Sequence, residues 1–199
     1  MQGESKAELR DLMKRRLKEA PSSLWHDEGA AAARLLEKIF RRSRGQSVLV
    51  FLSTPLEIDA APLLETVLSL GEKAFAPTIS GENLVFRRVH SAAGPWKTGP
   101  LGIREPALQS EVLGPHDFPV LALVPGMAFD LSGGRLGYGK ACYDRFFTRL
   151  GGPCFKIGLC MNAQILPRIP ADPWDVPMDA LCTGSRFIPV AEVPPEWLK

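Results

Sequence analysis

Leu9, Leu12, Met13 and Leu17 recur at intervals of three and four residues, which predicts an amphipathic helix over 6–19, stopped at Pro21. Lys6, Arg10 and Lys14 form a separate basic stripe on it. Ala32, Leu36, Ile39 and Phe40 predict a second helix over 27–42, whose basic last turn suits the helix dipole. Beyond Gly45 the pattern changes. The continuous run 47–52 reads as a short strand covered on both faces, 60–70 as a crossover helix ended by Gly71, and 73–77 as the next strand. Together these make a βαβ unit. A strand at 84–89 leads into a Gly- and Pro-rich stretch, 91–119, irregular by composition and of the kind that carries or covers a site. Val120 to Val124 is a second wholly apolar strand, followed by a glycine-rich turn and a helix over 141–150, and 155–160, 180–183 and 186–189 supply further strands. This alternation predicts an α/β protein: one three-layer α/β/α domain over 1–199, with a largely parallel central sheet and its ligand site beyond the carboxyl ends of the strands.

Composition narrows the function. The chain has 199 residues, enough for one core, and its 45% apolar and 23% charged residues are ordinary globular usage. No apolar run approaches the roughly 20 residues of a membrane span, and the charged start is unlike a secretion signal, so a cytoplasmic protein with no membrane partner is expected. Cys142, Cys154, Cys160 and Cys182 form no C-x-x-C pair and have no histidine at metal spacing, which favours free thiols over a zinc site or disulfide framework. His26, His90 and His116 stand apart in turn-like contexts, so histidine chemistry is not expected. Net charge is only +2, yet residues 1–44 hold 11 Lys and Arg against 7 Asp and Glu. No nucleic-acid motif accompanies these cations, so no nucleic-acid partner is expected; a solvated helix face that also reaches a phosphate accounts for them better. A monomer is expected.

The chemistry concentrates in 124–146, Val-Pro-Gly-Met-Ala-Phe-Asp-Leu-Ser-Gly-Gly-Arg-Leu-Gly-Tyr-Gly-Lys-Ala-Cys-Tyr-Asp-Arg-Phe, which runs from a strand end through a loop to a helix start. Glycines allow close backbone approach, and amides at a helix N-terminus face anions, so the segment suits a phosphate, with Arg135 and Lys140 adding charge. Generic nucleotide patterns fit only in part. Gly134 to Lys140 matches G-x-x-x-x-G-K, but Ala141 replaces the hydroxyl residue that would ligate magnesium, and Cys142 stands where G-x-G-x-x-G needs its third glycine. The alternative is a glycine-rich turn in which Leu136, Tyr143 and Phe146 merely pack.

Pro125 to Asp130, Gly134 to Gly139 and Tyr143-Asp144-Arg145 resemble the signature of 5-formyltetrahydrofolate cyclo-ligases. The resemblance extends through Lys6 to Arg10, Phe51-Leu52-Ser53, Glu57-Ile58-Asp59, Gly102 to Pro106, Gln164, Ile169-Pro170, Asp175 and Asp179, in the family's order. It implies an ATP-dependent conversion of 5-formyltetrahydrofolate to 5,10-methenyltetrahydrofolate, with ADP and phosphate released. It also implies roles for individual residues. Lys6, Arg10, Arg135, Gly137, Gly139, Lys140 and Tyr143 would bind ATP, with Arg135 and Lys140 catalytic. Asp144 and Asp175 would hold magnesium, with Asp179 as rival to Asp175. Leu52, Glu57, Met127, Phe129, Tyr138 and Cys142 would bind the reduced folate, Glu57 through the pterin ring. Ala141 stands where the family's run has glycine, Cys142 replaces an aromatic residue, and Leu101 replaces a tryptophan found in some members. Those departures leave a second reading, a non-catalytic nucleotide- or folate-binding relative.

Overall fold

The computed structural model describes residues 4–42, 45–99 and 102–192; Leu101 lies outside them. Helix α1 (Lys6–Glu19) starts from a capping box in which Ser5 and Glu8 satisfy each other's free amides, and it buries Leu9, Met13 and Leu17. Helix α2 (Ser22–Arg42) begins at Ser22 rather than near Asp27, because Trp25 and Gly29 extend the buried face of Ala32, Ala33, Leu36 and Phe40. Strand β1 (Ser47–Leu49), helix α3 (Ala61–Ser69) and strand β2 (Lys73–Ser80) form the expected parallel βαβ unit. Strand β3 (Asn83–Val89) returns antiparallel to β2. Next come β4 (Trp96–Thr98), β5 (Arg104–Pro106), β6 (Val120–Val124), β7 (Ala128–Asp130), β8 (Arg135–Leu136) and α4 (Cys142–Arg149). The remaining strands are β9 (Cys154–Leu159), β10 (Ile165–Leu166), β11 (Ala180–Cys182) and β12 (Phe187–Pro189).

The main sheet has the order β12-β11-β9-β6-β1-β2-β3, with parallel neighbours from β11 to β2 and an antiparallel strand at each edge. Successive residues of its central strands enter different cores. Val48, Leu121 and Leu123 pack with Leu36, Phe40, Leu63 and Val67 of α2 and α3, whereas Leu49, Val120, Ala122 and Val124 pack with Phe146 and Phe147 of α4. Two covered faces explain why these strands read as unbroken apolar runs. The result is the expected three-layer arrangement.

A smaller core lies apart from these layers. Leu9, Met13 and Leu17 of α1 pack with Trp25, Met127, Ala128, Leu136, Met161 and Leu166 over a three-stranded sheet of order β10-β7-β8. The segment after β6, expected to be a glycine-rich turn, therefore contains the β7–β8 hairpin. Likewise 91–119, expected to be irregular, contains the β4–β5 antiparallel pair. Strands of two or three residues are too short to show a period.

The hairpin tip is fixed by Asp130. One of its carboxylate oxygens accepts from the Ser132 amide, the Ser132 hydroxyl and the Gly134 amide, and the other from the Ile169 amide at 2.7 Å. Burial would raise this carboxyl, but the four hydrogen bonds outweigh it and hold the group below the usual aspartate range. Gly133 adopts φ +87°, and a Cβ there would lie 2.5 Å from the Met178 carbonyl oxygen.

Candidate active site

A cavity of about 580 Å³ opens at the carboxyl ends of β1, β2 and β6. Phe51, Leu52, Thr54 and Glu57 follow β1, Pro77 and Ile79 come from the second half of β2, and Pro125 follows β6. Lys6 and Arg10 of α1, Arg135 of β8, residues 137–144, and Asp172, Trp174 and Asp175 complete much of the wall.

Opposite charges are interleaved around the glycine loop. Arg135 Nη2 donates to Asp144 Oδ2 at 2.7 Å, both side chains being buried, and Arg135 stacks over the Tyr143 ring at 5.5 Å. Burial and the neighbouring Glu57 charge push the Tyr143 hydroxyl far above its usual range. Asp144 Oδ1 accepts from the Val176 amide, tying the start of α4 to the residue after Asp175. Lys6 Nζ lies between Asp172 Oδ2, at 2.7 Å, and Asp175 Oδ2. Despite the cost of burial, those two carboxylates raise the affinity of Lys6 for its proton. Arg10 Nε donates to the Gly137 carbonyl at 2.8 Å. Gly139, at φ +90°, passes close to the Arg10 guanidinium. Lys140 is exposed on the loop.

Glu57 is of another kind. It is buried, one oxygen accepts from the Thr54 amide at 2.7 Å, and Tyr138 lies beside it on the cavity wall. Burial raises its carboxyl, with the hydrogen bonds offsetting only part of the effect. Burial and the Glu57 charge likewise move the Tyr138 hydroxyl well up. An apolar cavity with a buried acceptor at one wall and a cluster of cations and carboxylates at another can take a ligand that is flat at one end and polyanionic at the other.

Residues 2–184 match the model of the 5-formyltetrahydrofolate cyclo-ligase family. The chain belongs to that family. A 5-formyltetrahydrofolate cyclo-ligase of Mycolicibacterium smegmatis is 29% identical over 195 residues, covering 94% of this chain and 98% of the relative. That of Escherichia coli is 32% identical over 146 residues, covering 70% and 79%. In three dimensions the fold matches a 5,10-methenyltetrahydrofolate synthetase of Aquifex aeolicus with a TM-score of 0.80 and 30% identity, over 95% of this chain and 94% of that one.

Most of the residues that the cyclo-ligase resemblance singles out meet in the one cavity: Lys6, Arg10, Leu52, Glu57, Arg135, Gly137, Tyr138, Gly139, Lys140, Cys142, Tyr143, Asp144 and Asp175 all line it. Met127 and Phe129 do not. Met127 packs in the small core, and Phe129 is fully buried against Gly126 and Gly158, where any Cβ would strike its ring. These two apolar residues are core rather than walls. Asp179 is also absent from the cavity, its carboxylate being held by the Lys156 amide and ammonium, each at 2.7 Å.

Asp144 and Asp175 fit a magnesium ion by the chemistry of their donors. Magnesium favours one or two carboxylates completed by phosphate oxygens and water, and each carboxylate keeps spare lone pairs beside its present partners. Among the described residues no three His, Cys, Asp or Glu form a metal cluster, so the remaining ligands would be phosphate and water.

Several wall residues had no assigned role in the sequence. Thr54 and Asp172 follow from contacts with Glu57 and Lys6 that only the fold creates. Glu105 is buried, accepts from the Ile79 amide at 3.0 Å and pairs with Lys97 at 3.3 Å, holding the β4–β5 pair to β2. The one sequence signal for Trp174 is its place in Asp172-Pro173-Trp174-Asp175, a turn-forming tetrapeptide.

Proposed function

We propose that this protein converts 5-formyltetrahydrofolate and ATP to 5,10-methenyltetrahydrofolate, ADP and phosphate. The observation that carries the reading is the single cavity in which the cyclo-ligase motif residues, drawn from α1, the glycine loop, α4 and the 172–175 turn, converge around Glu57. A formamide oxygen is a poor leaving group. Transfer of the terminal phosphoryl group of ATP to that oxygen activates the formyl carbon, the neighbouring amine nitrogen of the folate attacks it, and the oxygen departs with the phosphate.

Little covalent chemistry is asked of the side chains; positioning and charge neutralisation supply the rate. Lys6, Arg10, Arg135 and Lys140 meet the phosphates, and the amides of Gly137 and Gly139 approach them closely. Arg135 is pre-oriented by Asp144 and Tyr143, so little reorganisation is needed as charge builds on the transferred group. Magnesium held by Asp144 and Asp175 would neutralise phosphate charge. Glu57, Thr54 and Tyr138 orient the pterin edge, Leu52 packs on the ring, and Cys142 lies beside it. All these side chains come from one chain, so a monomer suffices. Four free cysteines suit a reducing compartment such as the cytoplasm.

The direct test is near-ultraviolet absorbance of the conjugated methenyl product on mixing protein, 5-formyltetrahydrofolate, ATP and magnesium. A rise that needs every component is expected. No rise from protein that binds ATP would refute turnover and leave the non-catalytic relative.

A further inference from the structure

Asp172-Pro173-Trp174-Asp175 forms a β-turn closed by the Asp175 amide on the Asp172 carbonyl at 3.0 Å, with proline at the second position, where its fixed φ is favourable. The turn is held further by the Asp172 amide on Asp175 Oδ2, by Lys6 against both carboxylates, and by the Val176 amide on Asp144. At its tip stands Trp174, 65% exposed, lining the cavity mouth. Its indole has no hydrogen bond, aromatic neighbour or cation over it among the described residues. A tryptophan that served the core would be buried; this one is presented on a stiff support and left open.

Its location decides what it faces. The turn is bonded to Lys6, and the residue after it, Val176, to Asp144, which pairs with Arg135, so the turn belongs to the charged part of the cavity rather than to the wall of Leu52, Glu57 and Ile79. Resting on the proposed ATP-dependent reaction, we propose that Trp174 is the platform on which the purine base of the nucleotide stacks, with the triphosphate running inward to Lys6, Arg135 and Lys140. Aromatic stacking tolerates any flat base but rewards the larger purine.

Calorimetric titration of wild-type and Trp174→Ala protein with ATP, inorganic tripolyphosphate and 5-formyltetrahydrofolate tests this. Trp174→Ala is expected to weaken ATP about tenfold, the scale of one lost stacking contact, while tripolyphosphate and folate affinities stay as in wild type. Trp174→Phe restores most of the loss. In steady state the KM for ATP rises with kcat kept, and the preference for ATP over UTP shrinks. Unchanged ATP affinity in Trp174→Ala overturns the inference. So does an equal loss for tripolyphosphate, which would mean the turn itself had collapsed, or a loss confined to folate, which would give the ring to the other substrate. Wild-type protein that turns over while Trp174→Ala matches it sinks this inference alone; wild-type protein that binds no ATP sinks the cyclo-ligase reading with it.

Discussion

Ala141 holds φ +48° and ψ +25°, the one non-glycine residue with positive φ among those described, directly before α4. A Cβ in this left-handed region costs roughly 1–2 kcal/mol, so the Ala141 methyl group is strained. Ala141→Gly is expected to raise stability by about 1 kcal/mol, after allowance for the extra freedom of glycine in the unfolded chain; a urea midpoint that stays put or falls would count against it. Lys140→Ala and Asp144→Asn should each lower kcat about 100-fold or more without loss of the fold. Near-wild-type turnover in either would remove the assigned role. Glu57 supplies a pH test. Burial raises its carboxyl above the ordinary value of 4.5, so the folded state holds that proton more tightly than the unfolded chain does. Stability therefore falls as pH rises from 4.5 through the raised value. Glu57→Gln lacks this penalty, and its melting temperature should gain on wild type across that window while folate binding is lost; a pH-independent difference would contradict this. At this scale legibility was uneven. The charges of Lys6, Arg135 and Asp144 stand out in the sequence, but nothing local says that they meet. Met127 and Phe129 misled because an apolar side chain in a loop motif looks the same whether it faces a ligand or fills the space left by Gly126 and Gly158.

Among the elements, those with a long period or a continuous apolar run were readable: α1 and β6 match the pattern to the residue, and the βαβ unit of β1, α3 and β2 follows from it. The short hairpins were not. β7 and β8 exist because Asp130 gathers four donors and Gly133 takes a positive φ, contacts that no periodicity reports. Their importance is open to test. In Gly133→Ala the Cβ must push against the Met178 carbonyl in a backbone region that alanine resists, so a loss of about 2 kcal/mol or more is expected in denaturant unfolding. ATP affinity should fall with it, since Arg135 begins the returning strand. A variant as stable as wild type would show that the tip is free to rearrange.

For the whole molecule, the cavity lies where two packing units meet: the carboxyl edge of the main sheet supplies Leu52 and Glu57, and the small core of α1 and the β10-β7-β8 sheet supplies Lys6, Arg10 and Arg135. Lys6 and Asp175, 169 positions apart, touch here. α1 thus rests on the small core, and its hydrogen bonds to the cavity wall run through Lys6, to Asp172 and Asp175, and Arg10, to the Gly137 carbonyl. Segments held by few buried contacts open more often than the body of a fold. In the absence of ATP, amides of α1 should exchange with solvent well ahead of those of β6 and β9, and saturating ATP should slow them selectively by adding binding free energy to the closed form. Equal protection with and without nucleotide would show α1 to be fixed regardless. The outcome matters for turnover: if Lys6 and Arg10 bind the phosphates as proposed, lifting of this one helix would let ADP leave with the main sheet undisturbed.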